Sequence, residues 1–235
     1  MKNNFTEGLK DGVPIALGYL SVSFSIGIMA VSSGLGIFQG AFMSLTNVTS
    51  AGQFAGLAVI ATGGTILELI LTQLIINLRY ALMSLSLSQK LSEKITLWQR
   101  LVIAFANTDE IFAVAMNRSK SLTFSYMLGL QSLPVIGWTS GTALGAAAGQ
   151  ALPDAISSAL NVALYGMFIA IVVPAAVKLR PVLIVAALAA LFSCMIYYLP
   201  LFSGISTGTS IIICTILASA AGAVIFPVSQ DKNGD

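Results

Sequence analysis

Apolar residues run along this chain in long stretches, which polar and charged residues interrupt at only a few places. The 56 positions between Asp11 and Glu68 carry no charge, and neither do the 50 positions from Pro181 to Gln230. A helix that crosses a bilayer needs about 20 apolar residues. Because these stretches are continuously apolar rather than alternating, they predict membrane helices and not a β-barrel. The predicted fold class is therefore an all-α polytopic integral membrane protein.

Glycine, proline and charged residues divide the apolar stretches into candidate helices. We expect about six to eight membrane helices in a single transmembrane domain over residues 1–235, with cytoplasmic segments at 1–12 and 228–235. Pro14 is expected in the first turn of the first helix, where proline is tolerated. The expected elements are Val13–Ser32, Gly36–Ala61, Thr65–Leu87, Leu97–Asn117, Leu122–Gln150, Ile156–Val177, Pro181–Leu199 and Thr209–Phe226.

Two of these elements contain polar residues that a lipid-facing helix would not carry. Between Ser44 and Gln53, six of the ten residues bear a hydroxyl or an amide. The other element contains the run Asn107-Thr-Asp-Glu110. Non-helical backbone at membrane depth is tolerated only where it is buried in protein or lines a wet cavity. We therefore expect two broken or re-entrant elements, with eight plain spans as the alternative.

Basic residues in the short loops indicate how the chain is oriented in the membrane. With two re-entrant elements, all eleven Lys and Arg residues can face the cytoplasm. Eight plain spans would instead put Lys90, Lys94 and Arg100 outside. Both arrangements place the N-terminus and the C-terminus in the cytoplasm.

Charge and residue types exclude several classes of function. The net charge of +2 is too small to indicate a nucleic-acid partner, and the absence of histidine excludes histidine-based zinc and haem sites. No Walker A, G-x-S-x-G, H-E-x-x-H or C-x-x-C motif occurs, so we expect neither an enzyme nor a cofactor or metal site. Cys194 and Cys214 lie in apolar stretches and are expected to be buried free thiols.

The polar break before Phe54 is the first candidate for a substrate site. Its polar residues stand before an apolar run, as at a half-helix N-terminus whose free N–H groups bind an anionic group. A polar loop or cap near the membrane surface is the alternative. The candidate substrate-binding residues here are Thr46, Asn47, Thr49, Ser50 and Gln53.

Charged side chains inside apolar stretches form the second candidate, for ion or proton coupling. Asp109 and Glu110 point about 100° apart on a helix, so one can line a pathway while the other pairs with a base such as Arg79. Glu68 and Arg79 share a polar helix face but lie roughly 16 Å apart along it, so each needs another partner. Intramembrane carboxylates are functional candidates by default. A structural ion pair with Arg100 or Arg118 near the interface is the alternative.

Four glycines recur at a spacing of four residues in the fifth expected helix: Gly137, Gly141, Gly145 and Gly149. Small residues at this spacing let two helix backbones approach closely. Packing within the chain and packing against a partner subunit both fit this pattern.

Four segments resemble, in order and spacing, the AzlC family over roughly the first 150 residues of the chain. The segments are Gly12-Val-Pro-Ile-Ala-Leu-Gly-Tyr19, Ser50-Ala-Gly-Gln-Phe54, Ile76-Asn-Leu-Arg-Tyr80 and Thr108-Asp-Glu-Ile-Phe112. The later half agrees mainly in hydropathy and in Leu152-Pro-Asp154.

The resemblance implies the large subunit of a branched-chain amino-acid exporter in the bacterial cytoplasmic (inner) membrane. Such an exporter carries leucine, isoleucine and valine as a secondary transporter, draws on ion or proton gradients, and acts with a small AzlD-type membrane subunit. For a zwitterionic substrate we assign the carboxylate to the residues from Thr46 to Gln53, and Asn77 is a further candidate substrate-binding residue. The ammonium group is assigned to Asp109 or Glu110.

Two other functions compete with export. One is a non-transporting membrane scaffold, against which the polar breaks and the intramembrane carboxylates argue because a scaffold has no use for them. The other is a permease or channel for another small solute, which has the same sequence features as an exporter.

Overall fold

A computed structural model of the chain describes residues 4–119, 121–151, 169 and 172–227. This part of the chain contains helices and no β-strand, apart from one isolated bridge between Leu91 and Leu122. The predicted all-α class is therefore confirmed. The helices are α1 (Phe5–Ser32), α2 (Ile37–Thr46), α3 (Ser50–Ala61), α4 (Ile66–Lys90), α5 (Leu97–Phe105), α6 (Asp109–Met116), α7 (Phe124–Ala151), α8 (Arg180–Tyr198) and α9 (Thr207–Ile225).

Several of these helices are long enough to cross a bilayer. Among the described residues, α1, α4, α8 and α9 combine sufficient length with sufficient apolar character. The 28 residues of α7 span about 42 Å, which also exceeds the thickness of a bilayer core. The total number of spans and the side on which each terminus lies stay predictions. Most of the expected helix Ile156–Val177, the Leu152-Pro-Asp154 segment and the tail 228–235 lie outside the described residues.

The first helix begins earlier than expected, at Phe5 rather than at Val13. Asn4 caps this helix, because its Oδ1 accepts a hydrogen bond from the backbone N–H of Glu7 at 3.1 Å. Pro14 consequently lies inside α1 and not in its first turn. The first turns of α1 carry acidic side chains whose charges Arg118 neutralises, at 3.5 Å from Glu7 and 2.5 Å from Asp11.

Contacts between the helices divide the described residues into two compact units. The first contains the residues up to Leu57 and those from Asn77 through α7, and the second contains Ala58–Ile76 and the residues after α7. In the second unit α8 packs on α9. Cys194 and Cys214 are free thiols, as expected, but only Cys214 is buried. The expected burial of Cys194 is wrong, because no residue of α8 is buried within the described part of the chain. The prediction of a single transmembrane domain is not decided by this division.

Glycines bring the backbones of α1 and α7 into direct contact in the first unit. A methyl group on Gly137, Gly141 or Gly145 would overlap the backbone of α1, so only glycine permits this approach. Residue numbers rise together along both helices, so α1 and α7 are parallel. The predicted small face is therefore occupied within the chain. Gly137 faces Ala16, Gly141 faces Leu20, Gly145 faces Phe24 and Gly149 faces Ile28.

Helix α4 runs antiparallel to α1. Gly8, near the start of α1, lies against the backbone of Tyr126. At the end of α4, the carbonyl of Lys90 accepts a hydrogen bond from the N–H of Leu122 at 2.9 Å. Because Leu122 and Tyr126 are only four residues apart, the start of α1 and the end of α4 lie at the same end of the first unit.

The fourth expected element is a helical hairpin formed by α5 and α6. At its start, Arg100 donates to the Ser88 carbonyl at 3.3 Å, and at its end the Lys90 ammonium donates to the Met116 carbonyl. Between them, Asn107 donates to Ser84 at 3.1 Å, further from the end of α4. Both ends of this element therefore lie beside the end of α4, so the element is broken and turns back on itself, as expected. Its re-entry into a membrane stays a prediction.

The second expected element is broken as well, between α2 and α3. Helix α2 starts near the C-terminal end of α1, where Gly40 faces Ala30, and the break then lies beside Asn77 in α4. Helix α3 leads from the break to residues 62–65, which directly precede α4. The two breaks consequently approach each other from opposite ends of the α1–α7 pair.

Candidate functional site

The two helix breaks meet at a polar cavity of about 160 Å³. Drug-sized sites are typically larger, about 300–1,000 Å³, so this volume fits a small solute. The cavity is bounded by the α2–α3 break, by α4 and by the end of α5. Its lining residues are Thr46, Asn47, Val48, Thr49, Asn77, Tyr80, Ala104, Phe105 and Asn107.

Thr49 joins the first break to α4. Its hydroxyl donates to Asn77 Oδ1 at 3.0 Å and accepts from the Tyr80 hydroxyl at 3.2 Å. The same oxygen lies 3.4 Å from the N–H of Gly52 and so caps the first turn of α3. Thr49 and Asn77, both predicted substrate-binding residues, thus line one cavity wall in direct contact.

Gln53 lies behind the cavity, in a buried hydrogen-bond network. Its Nε2 donates to Ser44 at 2.8 Å, and its Oε1 accepts from Trp138 Nε1 at 2.5 Å. Ser44 in turn lies 2.6 Å from the hydroxyl of Thr142. Because both ends of the Gln53 amide are engaged, this side chain fixes the break against α7 and is not among the cavity-lining residues.

The other predicted residues of the first break differ in position. Asn47 ends α2 and lines the cavity. Thr46 also lines it, but its hydroxyl donates back to the carbonyl of Phe42 at 2.8 Å. Ser50 is the first residue of α3 and is not among the lining residues.

The second break carries the predicted carboxylates. Asp109 forms an ion pair with Arg79 at 2.9 Å, in which both side chains are about half exposed, at 45% and 47%. Glu110 accepts a hydrogen bond from the hydroxyl of Tyr19, and the same tyrosine oxygen accepts from the hydroxyl of Thr108 at 2.5 Å. The two adjacent carboxylates therefore have different partners, one charged and one neutral.

The alternative ion pairs for these carboxylates do not form. Arg100 donates to a backbone carbonyl of α4, and Arg118 pairs with Glu7 and Asp11. Arg118 also stacks on a neighbouring aromatic ring, 4.2 Å from the centroid of Tyr126. Both arginines therefore hold the end of the first unit together.

Glu68 lies in the second unit, where it binds the N-terminus of α9. Its Oε1 accepts from the N–H of Thr209 at 3.0 Å and from the hydroxyl of Ser206. A carboxylate at a helix N-terminus is favourable because the helix dipole is positive there. Glu68 and Arg79 thus have separate partners, as their spacing predicts.

Three aromatic residues near the site were not among the predicted site residues, although two of them stand in segments that carry the family resemblance. Tyr80 lines the cavity beside Arg79, whose guanidinium lies 4.9 Å from its ring. Tyr19 and Trp138 pack edge to face at 5.2 Å between the two breaks. Aromatic residues in apolar stretches are more often packing residues, so composition gave no reason to separate them.

Comparisons with known proteins identify the chain's relatives. The family profile described as "AzlC protein" matches residues 14–152, which include both breaks and α7. The inner membrane protein YgaZ of Escherichia coli K12 is 29% identical over 146 residues, and the match covers 60% of each chain. An "Uncharacterized membrane protein" of Archaeoglobus fulgidus is 31% identical over 172 residues, covering 72% of this chain and 75% of the relative.

A further relative is an "Uncharacterized membrane protein" of Helicobacter pylori strain 26695, 28% identical over 156 residues and matched over 67% of its length. No solved structure matches the chain. The apolar helices and these membrane-protein relatives confirm the expected multi-pass inner-membrane location. Since the family profile covers more than half of the sequence, the chain belongs to the AzlC family.

Proposed function

We propose that the chain is the large subunit of a secondary transporter that exports leucine, isoleucine and valine across the cytoplasmic membrane. It acts with a small AzlD-type membrane subunit and draws on the proton gradient. The polar cavity where the two helix breaks meet is the main support for this proposal. Secondary transporters bind substrate and coupling ions near the bilayer midplane, at discontinuous helices of this kind.

The first break suits a zwitterionic amino acid. The C-terminus of α2 and the N-terminus of α3 meet there, so partial negative and partial positive charges lie within a few residues of each other. The amides of Asn47 and Asn77 add donors for a carboxylate. Val48, Ala104 and Phe105 supply the apolar wall that a branched side chain needs.

The second break reaches the cavity through Asn107, and its two carboxylates follow in the chain without being among the lining residues. We assign these carboxylates to the substrate ammonium group and to coupling. The chain has no histidine, so proton coupling at neutral pH rests on other groups. Protonation of Asp109 would remove its ion pair with Arg79, whereas Glu110 can take up a proton without breaking such a pair. We therefore assign Glu110 to the coupling proton, and Asp109 with Arg79 to the pathway beside the substrate.

Efflux from cells preloaded with a leucine-containing dipeptide tests this proposal. Efflux is measured for the chain alone, for the chain with an AzlD-type subunit, and for that pair carrying Glu110→Gln. We expect efflux only from the pair, its collapse with an uncoupler, and a loss of about tenfold or more in the variant, which corresponds to about 1.4 kcal/mol.

The matched control is Glu93→Gln, which removes an exposed carboxylate in the segment between α4 and α5. Its efflux is expected to equal that of the unmodified pair. If none of these conditions changes leucine efflux, branched-chain export is wrong. If Glu110→Gln exports normally and still responds to the uncoupler, Glu110 is not the coupling group.

A further inference from the structure

The segments around Tyr19 and Tyr80 repeat each other in sequence. Aligned without a gap, residues 15–25 and 76–86 are identical at five of eleven positions. The tyrosines are the fifteenth residues of α1 and of α4. The identical pairs are Ile15 and Ile76, Leu17 and Leu78, Tyr19 and Tyr80, Ser23 and Ser84, and Ser25 and Ser86.

The repeat extends to the broken helices. The starts of α1 and α4 are 61 residues apart, those of α2 and α5 are 60 apart, and those of α3 and α6 are 59 apart. Helices α2 and α5 also begin with the same cap, in which Gln39 or Gln99 accepts from the backbone N–H three residues earlier. Each of these two helices is followed at its break by an asparagine, Asn47 or Asn107.

The two repeats have inverted orientations. Helices α1 and α4 are antiparallel, and the two hairpins enter from opposite ends of the first unit. Substrate sites lie at the interface of inverted repeats in several transporter folds, where alternating access is largely a rocking or gating of one repeat against the other around the site. The cavity lies where the two repeats meet.

Each tyrosine contacts the break of the other repeat. The hydroxyl of Tyr19 of the first repeat lies 2.5 Å from the hydroxyl of Thr108, the residue before α6, and donates to Glu110 in the first turn of α6. Tyr80 of the second repeat donates to Thr49, the residue before α3, at 3.2 Å. The two contacts therefore occupy equivalent positions in the repeat: each joins the tyrosine on the first helix of one repeat to the threonine at the break of the other.

The surroundings of the two contacts differ in this structure. Tyr19 is 8% exposed and packs against Trp138, whereas Tyr80 borders the cavity. Ser44 is fully buried, whereas Ala104, its equivalent at the 60-residue spacing, is exposed and lines the cavity. The structure is thus closed around Tyr19 and open around Tyr80.

We propose that Tyr19 and Tyr80 are paired positioning residues that exchange roles during transport, an inference that rests on the proposed export function. In the observed state the Tyr19–Thr108 contact closes one repeat, and the cavity opens beside Tyr80. In the opposite state the Tyr19 contact loosens and a cavity opens beside Ser44. The contact of Tyr80 with Thr49, which is 3.2 Å long in the observed state, then shortens and closes the cavity beside Ala104.

Thiol labelling in membranes tests this exchange without any substrate. In a background with Cys194→Ser and Cys214→Ser, a single cysteine is placed by Ala104→Cys or by Ser44→Cys, and its reaction rate with a small maleimide is measured. Without further changes, the cysteine at 104 is expected to react faster than the cysteine at 44.

The two tyrosine variants should then act in opposite directions. Tyr19→Phe is expected to raise the rate at position 44 and lower the rate at position 104, and Tyr80→Phe is expected to do the reverse. Each labelling rate is expected to change about fivefold, because losing one hydrogen bond of typical net strength shifts an equilibrium by about that factor. A purely structural role would change both rates in the same direction.

Thr108→Val and Thr49→Val provide a second route, since they remove the threonine hydroxyls that the tyrosines contact and leave the tyrosines in place. They should shift the rates in the same directions as Tyr19→Phe and Tyr80→Phe respectively. Size-exclusion chromatography in detergent checks that each variant is folded. Rates that move together or stay constant would overturn the exchange, even if leucine efflux is normal. Opposite shifts without any amino-acid efflux would retain the exchange and overturn the export function.

Discussion

The two helix breaks share a backbone design but carry different chemistry. The first is built from uncharged groups, and its partners are a tyrosine, an asparagine and the buried network around Gln53. The second opens a helix with two carboxylates, one of which forms a half-exposed ion pair with Arg79. One repeated element has therefore acquired a neutral version and a charged version.

This difference indicates a division of work between the two breaks. Charge inside a membrane is costly, so carboxylates persist there mainly where function requires them. In the first break the amide and hydroxyl groups, together with the helix ends, can recognise a zwitterion without any fixed charge. Changes at the first break should therefore alter substrate affinity, and changes at the second should alter the driving of transport.

The largest effect is expected from a change in the α1–α7 contact, because this contact supports both breaks. Gly145→Leu would place a side chain against the carbonyl of Phe24, where a methyl group already overlaps. Because Tyr19 on α1 holds the second break and Trp138 on α7 holds the first, separating these helices should disrupt both. We expect loss of the monodisperse peak in size-exclusion chromatography of the detergent-solubilised protein.

Gly18→Leu is the matched control, since no atom lies within 4 Å of the position that its Cβ would take. That variant should elute like the unmodified protein. A normal yield and elution for Gly145→Leu would show that close contact of α1 and α7 is not needed to hold the site.

The next effect concerns only the charged break. Asp109→Asn leaves Arg79 without its carboxylate, and we expect leucine efflux to fall about tenfold or more, a change equivalent to about 1.4 kcal/mol in the barrier. The exchanged pair, Arg79→Asp with Asp109→Arg, should recover part of that loss because it restores opposite charges. Efflux of preloaded cells that express both subunits measures both variants.

An exchange of charge in a loop serves as the control for this pair. Glu93→Lys with Lys94→Glu reverses two adjacent exposed residues between α4 and α5, and its efflux should be unchanged. If Asp109→Asn exports at the normal rate, the ion pair has no part in transport. If the exchanged pair does not recover any leucine efflux, the carboxylate acts by its position and not only by neutralising Arg79.

Much of the fold could be predicted because the signals are local. Polar residues inside an apolar stretch identified both breaks, and four glycines at regular spacing identified the packing face of α7. The start of α1 could not be placed from hydropathy, because Glu7 and Asp11 are neutralised by Arg118, more than 100 residues away. Tertiary pairing of this kind overrides the local pattern.

The candidate site shows the same limit at the level of single residues. Gln53 and Thr49 look alike in the sequence as polar residues of one break, but only Thr49 lines the cavity. The difference depends on Trp138, which lies 85 residues further along the chain and engages the Gln53 amide. Tyr80 shows the reverse case, an aromatic residue in an apolar stretch that borders the cavity.

The smallest expected effects distinguish cavity-lining residues from residues of the buried network within the first break. Asn77→Ala removes a cavity-lining amide, and we expect the apparent KM for leucine to rise about fivefold, the value of one hydrogen bond, with little change in maximal rate. Gln53→Ala instead leaves the buried Trp138 indole N–H without its partner, and Ser44 keeps only its contact with Thr142. It should lower the unfolding temperature, because buried polar groups without partners destabilise the folded state, and leave KM nearly unchanged.

Transport kinetics in proteoliposomes and thermal unfolding in detergent measure the two effects on the same preparations. Gln150→Ala, on the exposed end of α7, should change neither quantity. A raised KM for Gln53→Ala with an unchanged unfolding temperature would move this amide into the binding site. The first break would then act as one recognition surface, and not as a cavity lining supported by a separate buried network. It would also resemble the second break more closely than the structure indicates, since Glu110 and Thr108 of that break contact the same tyrosine.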